Sequence, residues 1–405
     1  MNILYIAYSC APNKGSEEKI GWNIPLESSK TNNVYVITKE EHRAVIAEYI
    51  KENNIKNIEF YFVDIPKIYK KISKTIYTFR LNKLHKNAFK LAKELCKEKK
   101  IDIIHQITPI EIRSIGNYGK IKGVKFVCGP LGGGEYIPRG LRSYATRFAF
   151  FEWLRKGMNC FYRTKSLISR KMSRCDYVFF ANQETARYFN KLTKANSAEV
   201  YFDNGISIED FSVGKKSCDE ERETHIIVAG RLAYKKGHML LLDALKQLPK
   251  SLKYQVRIVG EGPEKARLRK KCALYGLEDR VTFLGRIPFS QMQEEYNNAD
   301  VFVMPSIRET TGAVLLESAA NAVPVIAIDK FGGPVLFDET SAWLYNGKSK
   351  KEYIDNLANA LIECIENPHM RIEKGENARN IAFAHTWDRK LEKYNCIYEK
   401  IKGEI

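Results

Sequence analysis

The sequence predicts an α/β protein made of two Rossmann-like halves, each built on a parallel sheet. Three observations carry this reading. Short β-branched runs alternate with longer segments of helical spacing, and that alternation implies parallel βαβ units. The series occurs twice, with a polar stretch between. The chain's 405 residues suffice for two domains with substantial cores.

The first series places strands at Ile3–Ala7, Val34–Thr38, Glu59–Val63, Ile101–His105, Lys125–Cys128, Tyr177–Ala181 and Ala198–Phe202. The second places them at His225–Ala229, Tyr254–Val259, Val281–Leu284, Val301–Met304 and Pro324–Ala327. Between them lie Asp203-Asn204-Gly205-Ile206 and the polar run Val213–Thr224, which read as the linker. The halves are therefore set at residues 1–205 and 225–384. Two such halves facing a cleft hold a ligand at the carboxyl ends of their strands.

Composition removes several function classes. An apolar fraction of 44% is ordinary for a globular chain. Nine cysteines stand singly without Cys-x-x-Cys, and seven histidines show no ligand spacing, so neither a disulfide scaffold nor a metal site is indicated. Met1-Asn-Ile-Leu-Tyr-Ile reads directly as a first buried strand, without a basic leader. No apolar run approaches the roughly 20 residues that span a bilayer. A cytoplasmic protein is the expectation.

Charge is distributed unevenly. Residues 1–200 hold 36 Lys and Arg against 18 Asp and Glu; the remainder balances at 30 of each, so the net +18 lies wholly in the first half. Such asymmetry points to an anionic partner met by one domain. A helix over 81–100 carries Leu81, Leu84, Ala88, Leu91 and Leu95 on one face, with Lys83, Lys86, Lys90, Lys93, Lys97 and Lys100 opposite. Phe151–Cys175 repeats the theme, with Phe151, Leu154, Met158, Phe161, Ile168 and Met172 as the apolar stripe. Docking on an anionic membrane surface is the corresponding expectation; a merely solvated, Lys-rich face is the alternative. Nucleic acid is not expected, since no aromatic-rich or helix-turn-helix pattern accompanies the charge.

Pro305-Ser-Ile-Arg-Glu-Thr-Thr-Gly-Ala-Val-Leu-Leu-Glu317 carries the chemistry. Gly312 admits close backbone approach, and the N–H groups of Gly312, Ala313, Val314 and Leu315 face a helix start, an arrangement that binds phosphate. Glu309 and Glu317 flank it and can accept hydrogen bonds from sugar hydroxyls. Phosphate below and hydroxyls at the sides describe a nucleotide sugar. An acidic pair that only caps a helix is the plainer reading.

Neighbouring motifs make a resemblance specific: Gly230-Arg-Leu-Ala-Tyr-Lys-Lys-Gly237, Ile258-Val-Gly-Glu-Gly-Pro263, Val281-Thr-Phe-Leu-Gly-Arg-Ile287, then Glu309 to Glu317. In order and spacing they resemble the retaining glycosyltransferases of family 4, which have the two-domain GT-B fold. Ala11–Trp22 and Gly129–Pro138 further resemble a subgroup associated with bacterial surface polysaccharides.

The resemblance implies that Arg231 and Lys236 embrace the donor diphosphate, that Glu309 contacts the transferred sugar, and that Glu317 hydrogen-bonds the ribose. Thr311 joins the donor set, Arg286 and Ile287 match the base-holding loop, and Gly15 and Ser16 meet the donor phosphates. Asp329, Gly332 and Gly333 lie in a loop near the sugar, or form a turn only. Gly132, Gly133, Gly134 and Glu135 are placed on the acceptor side, with a helix cap as the other role for Glu135. The family's usual His after the fifth strand is replaced by Val127-Cys128-Gly129-Pro130; His105 is the substitute catalytic candidate, unless it is a hydrogen-bonded core residue.

The fold implied also sends residues from about 385 to 405 back to complete the first domain. The activity implied is metal-independent transfer of a hexosyl or N-acetylhexosaminyl group, from a UDP-sugar or GDP-sugar to a lipid-linked glycan or polysaccharide hydroxyl, on the inner membrane face. A sugar-nucleotide epimerase of the same fold and a polyanion-binding protein remain alternatives. A dinucleotide-dependent dehydrogenase does not, because Ala11–Ser16 lacks Gly-x-Gly-x-x-Gly.

Overall fold

A computed structural model describes residues 1–15, 17–64, 77–194, 196–212, 214, 218–219 and 221–403. The chain forms two compact units. One comprises Met1–Gly134, Arg155–Gly205 and Trp387–Ile405; the other comprises Glu135–Leu154 and Ile206–Thr386.

The first unit holds β1 (Asn2–Ala7), β2 (Asn33–Lys39), β3 (Ile58–Val63), β4 (Ile103–Thr108), β5 (Lys125–Leu131), β6 (Tyr177–Phe180) and β7 (Ala198–Val200). They pair in parallel in the order β3-β2-β1-β4-β5-β6-β7. Alternation within β1 explains why Ile3–Ala7 carries no charged or amide side chain. Leu4 and Ile6 join one core, with Ala88, Ala92 and Leu95 of the helix Tyr77–Glu98. Ile3, Tyr5 and Ala7 join another, with Trp387, Tyr394 and Tyr398 of the helix Trp387–Gly403. Both faces are covered, so neither alternate position can be polar.

The second unit holds β8 (Thr224–Ala229), β9 (Tyr254–Val259), β10 (Val281–Gly285), β11 (Val301–Met304), β12 (Val325–Ile328) and β13 (Ala342–Tyr345), in the parallel order β10-β9-β8-β11-β12-β13. The expected strands do not include β13, although its sequence, Ala-Trp-Leu-Tyr, is apolar throughout. It is four residues long and borders the sheet, pairing only with β12. In both sheets the order reverses once, between β1 and β4 and between β8 and β11. Those reversals open crevices at the strands' carboxyl ends, where ligands bind in doubly wound sheets.

The segment Glu135–Leu154, read from sequence with the first domain, packs with the second unit. Ile137, Leu141 and Ala145 enter the core formed by Leu240, Leu241, Leu357 and Leu361. Their fourfold spacing marks a buried helical face but carries no information about which sheet it covers.

Three histidines are buried neutral. Burial holds the imidazoles of His85 and His105 down at about 3, and that of His238 at about 4. Each therefore has a folded pKa below the unfolded value near 6.5, so protons favour the unfolded chain. Their contribution is complete above that pH and is lost as pH falls below it, at about 1.4 kcal/mol per histidine per pH unit. The thermal midpoint should fall steadily from pH 6.5 to 4.5; calorimetry giving a flat profile there would contradict this.

Candidate functional site

The site of the second unit grows from the loops that follow β8 and β11. The first loop ends at Gly237, whose φ of 71° is left-handed. A Cβ there would lie 1.8 Å from the Pro305 carbonyl oxygen, so the loops can approach only through glycine. Two further hydrogen bonds zip them together: the Ile307 and Arg308 N–H groups donate to the Lys235 carbonyl, at 2.9 and 3.2 Å. Lys235 thus acts through its backbone. The Lys236 ammonium, from the same turn, donates to Glu309 Oε2 in a largely buried ion pair. Two residues 73 positions apart in sequence meet at the sheet's switch point. Arg231 is exposed on the same β8 loop.

Gly312 has φ 94°, and Thr311 is buried behind it, against Gly332 of the loop after β12. The following helix is short, Val314–Ala320, and Glu317 stands in its first turn. Its Leu315 N–H returns to the Gly312 carbonyl at 3.0 Å, which removes it from the anion-binding donors the sequence suggested. Ala313 and Val314 remain at the helix start, half-buried. Glu317 is oriented by Tyr296, whose hydroxyl donates to Oε2 at 3.1 Å. Burial, then the Glu317 carboxylate, pushes that phenol well above its ordinary range, so it stays a donor. Arg286, exposed, and Ile287, half-buried, follow β10 at the same end of the sheet. Asp329 accepts from the Asn346 amide at 3.3 Å.

Removing the Glu317 carboxylate deletes one charged acceptor while leaving the helix start intact. The Glu317→Ala protein should bind donor nucleotide about 10- to 100-fold more weakly, the range for a hydrogen bond to a charged group worth ~1.5–3 kcal/mol. Titration calorimetry with the nucleotide diphosphate reads this directly, and unchanged affinity would remove Glu317 from the site.

Sequence reasoning missed a support beneath these loops. Glu152, on the helix Ala149–Ser169, accepts from the Tyr234 hydroxyl at 2.6 Å and from the Arg308 guanidinium at 2.5 Å. Phe148 stacks on Tyr234 with centroids 4.0 Å apart. Tyr234 precedes Lys236 by two positions and Arg308 adjoins Glu309, so Glu152 braces both halves of the ion pair. No local pattern could have flagged a carboxylate so distant in sequence.

In the first unit the expectations divide. Gly15 is exposed in the loop after β1, and no atom lies within 4 Å of where its Cβ would be; Ser16 is outside the described residues. Glu17, which the sequence reading passed over, sits at the switch point of this sheet. Its carboxylate accepts from the Ile110 N–H at 3.1 Å and from Ser9 Oγ at 3.4 Å. Burial pushes it up to about 7, against the pull of the Ile110 N–H.

The glycines of 132–134 approach this protein's own atoms closely. Gly132 accepts from Ile112, the Gly133 carbonyl accepts from Arg155 and Asn159 at 2.7 and 2.8 Å, and a Cβ on Gly134 would meet Thr185 at 2.7 Å. Packing accounts for them. Glu135 is buried within the second unit.

His105 is not available to a substrate. It is fully buried, accepting from the Tyr398 hydroxyl at 2.6 Å and donating to the Gly129 carbonyl at 2.8 Å, with Tyr5, Phe179 and Tyr394 around it. The helix Trp387–Gly403 covers it; that cover, supplied from the far end of the chain, is invisible beside β4 in sequence.

The comparisons agree with this architecture. Both sheets, with their alternating helices, are those of the GT-B fold. Residues 214–381 match the family model described as glycosyl transferases group 1. The chain is similar to the putative colanic acid biosynthesis glycosyltransferase WcaL of Salmonella typhimurium, 31% identical over 159 residues, or 35% of this chain and 39% of the relative. It is also similar to a GDP-mannose-dependent monoacylated alpha-(1-6)-phosphatidylinositol monomannoside mannosyltransferase of Corynebacterium glutamicum, 27% identical over 50% of this chain and 56% of the relative. The matches thus span about half or less of these relatives' length. Among solved structures, HepE of Anabaena in complex with UDP superposes with a TM-score of 0.65 and 18% identity, covering 98% of this chain and 100% of that one.

Among the described residues, no group of three or more His, Cys, Asp or Glu is gathered as a metal-ligand set, and no helix is long and apolar enough to cross a membrane.

Proposed function

We propose that this protein is a retaining glycosyltransferase that moves a sugar from a nucleotide-diphosphate sugar to a hydroxyl of a lipid-linked or polysaccharide acceptor, in bacterial capsule, O-antigen or exopolysaccharide synthesis. The observation that carries the reading is the meeting of Lys236 and Glu309 at the β8/β11 switch point, with Arg231 on the loop after β8 and Glu317 in the first turn of the helix Val314–Ala320.

In this mechanism the diphosphate takes the ammonium of Lys236 and the guanidinium of Arg231, and a sugar hydroxyl takes the Glu309 carboxylate. As the bond from C1 to the phosphate oxygen breaks, negative charge grows on the leaving group, where fixed cations stabilise it. The acceptor oxygen bonds C1 from the same face, and its proton passes to the departing phosphate. No protein nucleophile and no metal are required. A UDP-sugar is the favoured donor and a GDP-sugar the other candidate; the similar proteins include one in complex with UDP and one that is GDP-mannose-dependent.

A surface supports the membrane half of the proposal. Helix Ala149–Ser169 turns small polar residues inward, Asn159 and Ser166, and leaves Phe151 63%, Trp153 69% and Ile168 78% exposed. This corrects the stripe read from sequence, since Met172 is fully buried. Aromatic and aliphatic groups beside Lys156, Arg163, Lys165 and Arg170 suit an anionic bilayer interface.

The test is incubation of the protein with UDP- and GDP-sugars and a membrane extract containing lipid-linked glycans. Nucleotide release that requires acceptor, survives EDTA and yields a bond with the donor's anomeric configuration is expected. Donor consumption without acceptor would favour epimerisation or hydrolysis instead. Binding to phosphatidylglycerol vesicles but not to neutral ones, weakened by salt, is expected alongside; no sedimentation at low salt would discard the docking surface.

A further inference from the structure

The first unit contains a cavity of about 640 Å³ that the transfer reaction does not use. It opens at the amino ends of β4 and β5, the edge of the sheet opposite the switch-point crevice, between the end of the helix Tyr77–Glu98 and the loop preceding β5. Its size is in the range of small-molecule sites.

The lining is of two kinds. Phe89, Ile101, Ile121 and Val124 give it an apolar floor. Lys93, Lys97, Lys100, Lys120 and Lys122 surround that floor, and all five are exposed. None of these lysines has a carboxylate within ion-pairing reach among the described residues. The one acidic lining residue, Asp102, is already engaged, by the Lys402 ammonium at 2.8 Å and the Asn2 N–H at 2.9 Å.

Five unpaired ammonium groups around one opening repel one another. A solvated basic face would spread such charges over a convex surface, whereas here all five lysines line one concavity that also has an apolar floor. An anion placed there relieves the repulsion, and the floor accommodates an attached apolar or aromatic group.

We propose that this cavity is a second binding site, for a phosphate-bearing amphiphile of nucleotide size: phosphate held by Lys97, Lys100 and Lys120, and the apolar part lying on Phe89 and Ile121. The same chemistry is available from a soluble nucleoside polyphosphate and from a phospholipid headgroup with the start of its chains. The site is separate from the donor loops and does not depend on the transferase reading.

Cys96 lines the cavity, half-buried, and reports on it alone. Burial pushes its thiol up to about 11, so alkylation is slow enough to time. N-ethylmaleimide modification at pH 8.5 is followed by mass spectrometry of the peptide containing Cys96, in the full-length protein. Three probes are used: ATP, inorganic triphosphate, and phosphatidylglycerol vesicles. ATP or the vesicles should slow modification at least fivefold, and whichever protects identifies the source. Lys97→Ala/Lys120→Ala should abolish protection, whereas Lys86→Ala/Lys90→Ala, which removes equal charge from the same helix outside the cavity, should retain it. No protection by either amphiphile overturns the proposal, as does protection that persists in Lys97→Ala/Lys120→Ala. Equal protection by inorganic triphosphate would reduce the site to an anion trap and overturn its amphiphilic character.

Discussion

Replacing Lys236 by alanine should lower kcat for sugar transfer by about 10²–10³-fold, the usual effect of removing one preorganised group that stabilises developing charge. The ammonium emerges from a turn closed by Gly237 and braced through Tyr234 and Glu152, so its position is set before any ligand arrives. Its partner Glu309 would be left partly buried without a cation. Glu309→Gln should therefore cost less in stability than Glu309→Ala, while both lower turnover. Because the two side chains act as a unit, the double replacement of Lys236 and Glu309 should lose little more than either single one. Steady-state kinetics on the four proteins decides this. Fully additive losses would mean that the ion pair has no shared role, and wild-type kcat in Lys236→Ala would remove the residue from the mechanism.

Gly237→Ala should be a severely damaging single-methyl change in the second unit. The left-handed backbone costs alanine about 1–2 kcal/mol. The larger effect is steric: the new Cβ falls on the Pro305 carbonyl oxygen, which is backbone and cannot rotate away. The loops after β8 and β11 must separate, breaking the Ile307–Lys235 hydrogen bond and pulling Lys236 from Glu309. We expect transfer to fall to background and the thermal midpoint to drop by at least ~5 °C, on a scale of 2–4 °C per kcal/mol for a unit of this size. Gly237→Asn separates the causes. Asparagine tolerates left-handed φ, so it would rescue a merely conformational defect; the carbonyl contact predicts that it does not. An active, stable Gly237→Asn would show that the loops part without harm.

Most strands were legible because they are apolar runs bounded by turn residues, a pattern that burial in a parallel sheet demands; β13, Ala-Trp-Leu-Tyr, fits it as well. The lysine face of the helix Tyr77–Glu98 was legible because its other face is buried: Ala88 and Leu95 pack in the core of the first sheet, and Leu81 and Leu84 pack with Tyr8. The motif residues stood out through their spacing: Arg231 and Lys236 each adjoin a glycine, and Glu309 and Glu317 bracket Gly312. What only the tertiary structure decided was which distant groups meet. His105 ends a strand in the sequence pattern, yet β4 runs on to Thr108 and the helix Trp387–Gly403 closes over the imidazole, making it part of the core. Glu152 reads as one acid in a helix, yet it braces two loops through Tyr234 and Arg308, 82 and 156 residues away. Glycines 132–134 signal close approach, but not to what. Residue type and local spacing determine which groups can be buried, hydrogen-bonded or charged. Their partners depend on strand order, and strand order is a property of the whole chain.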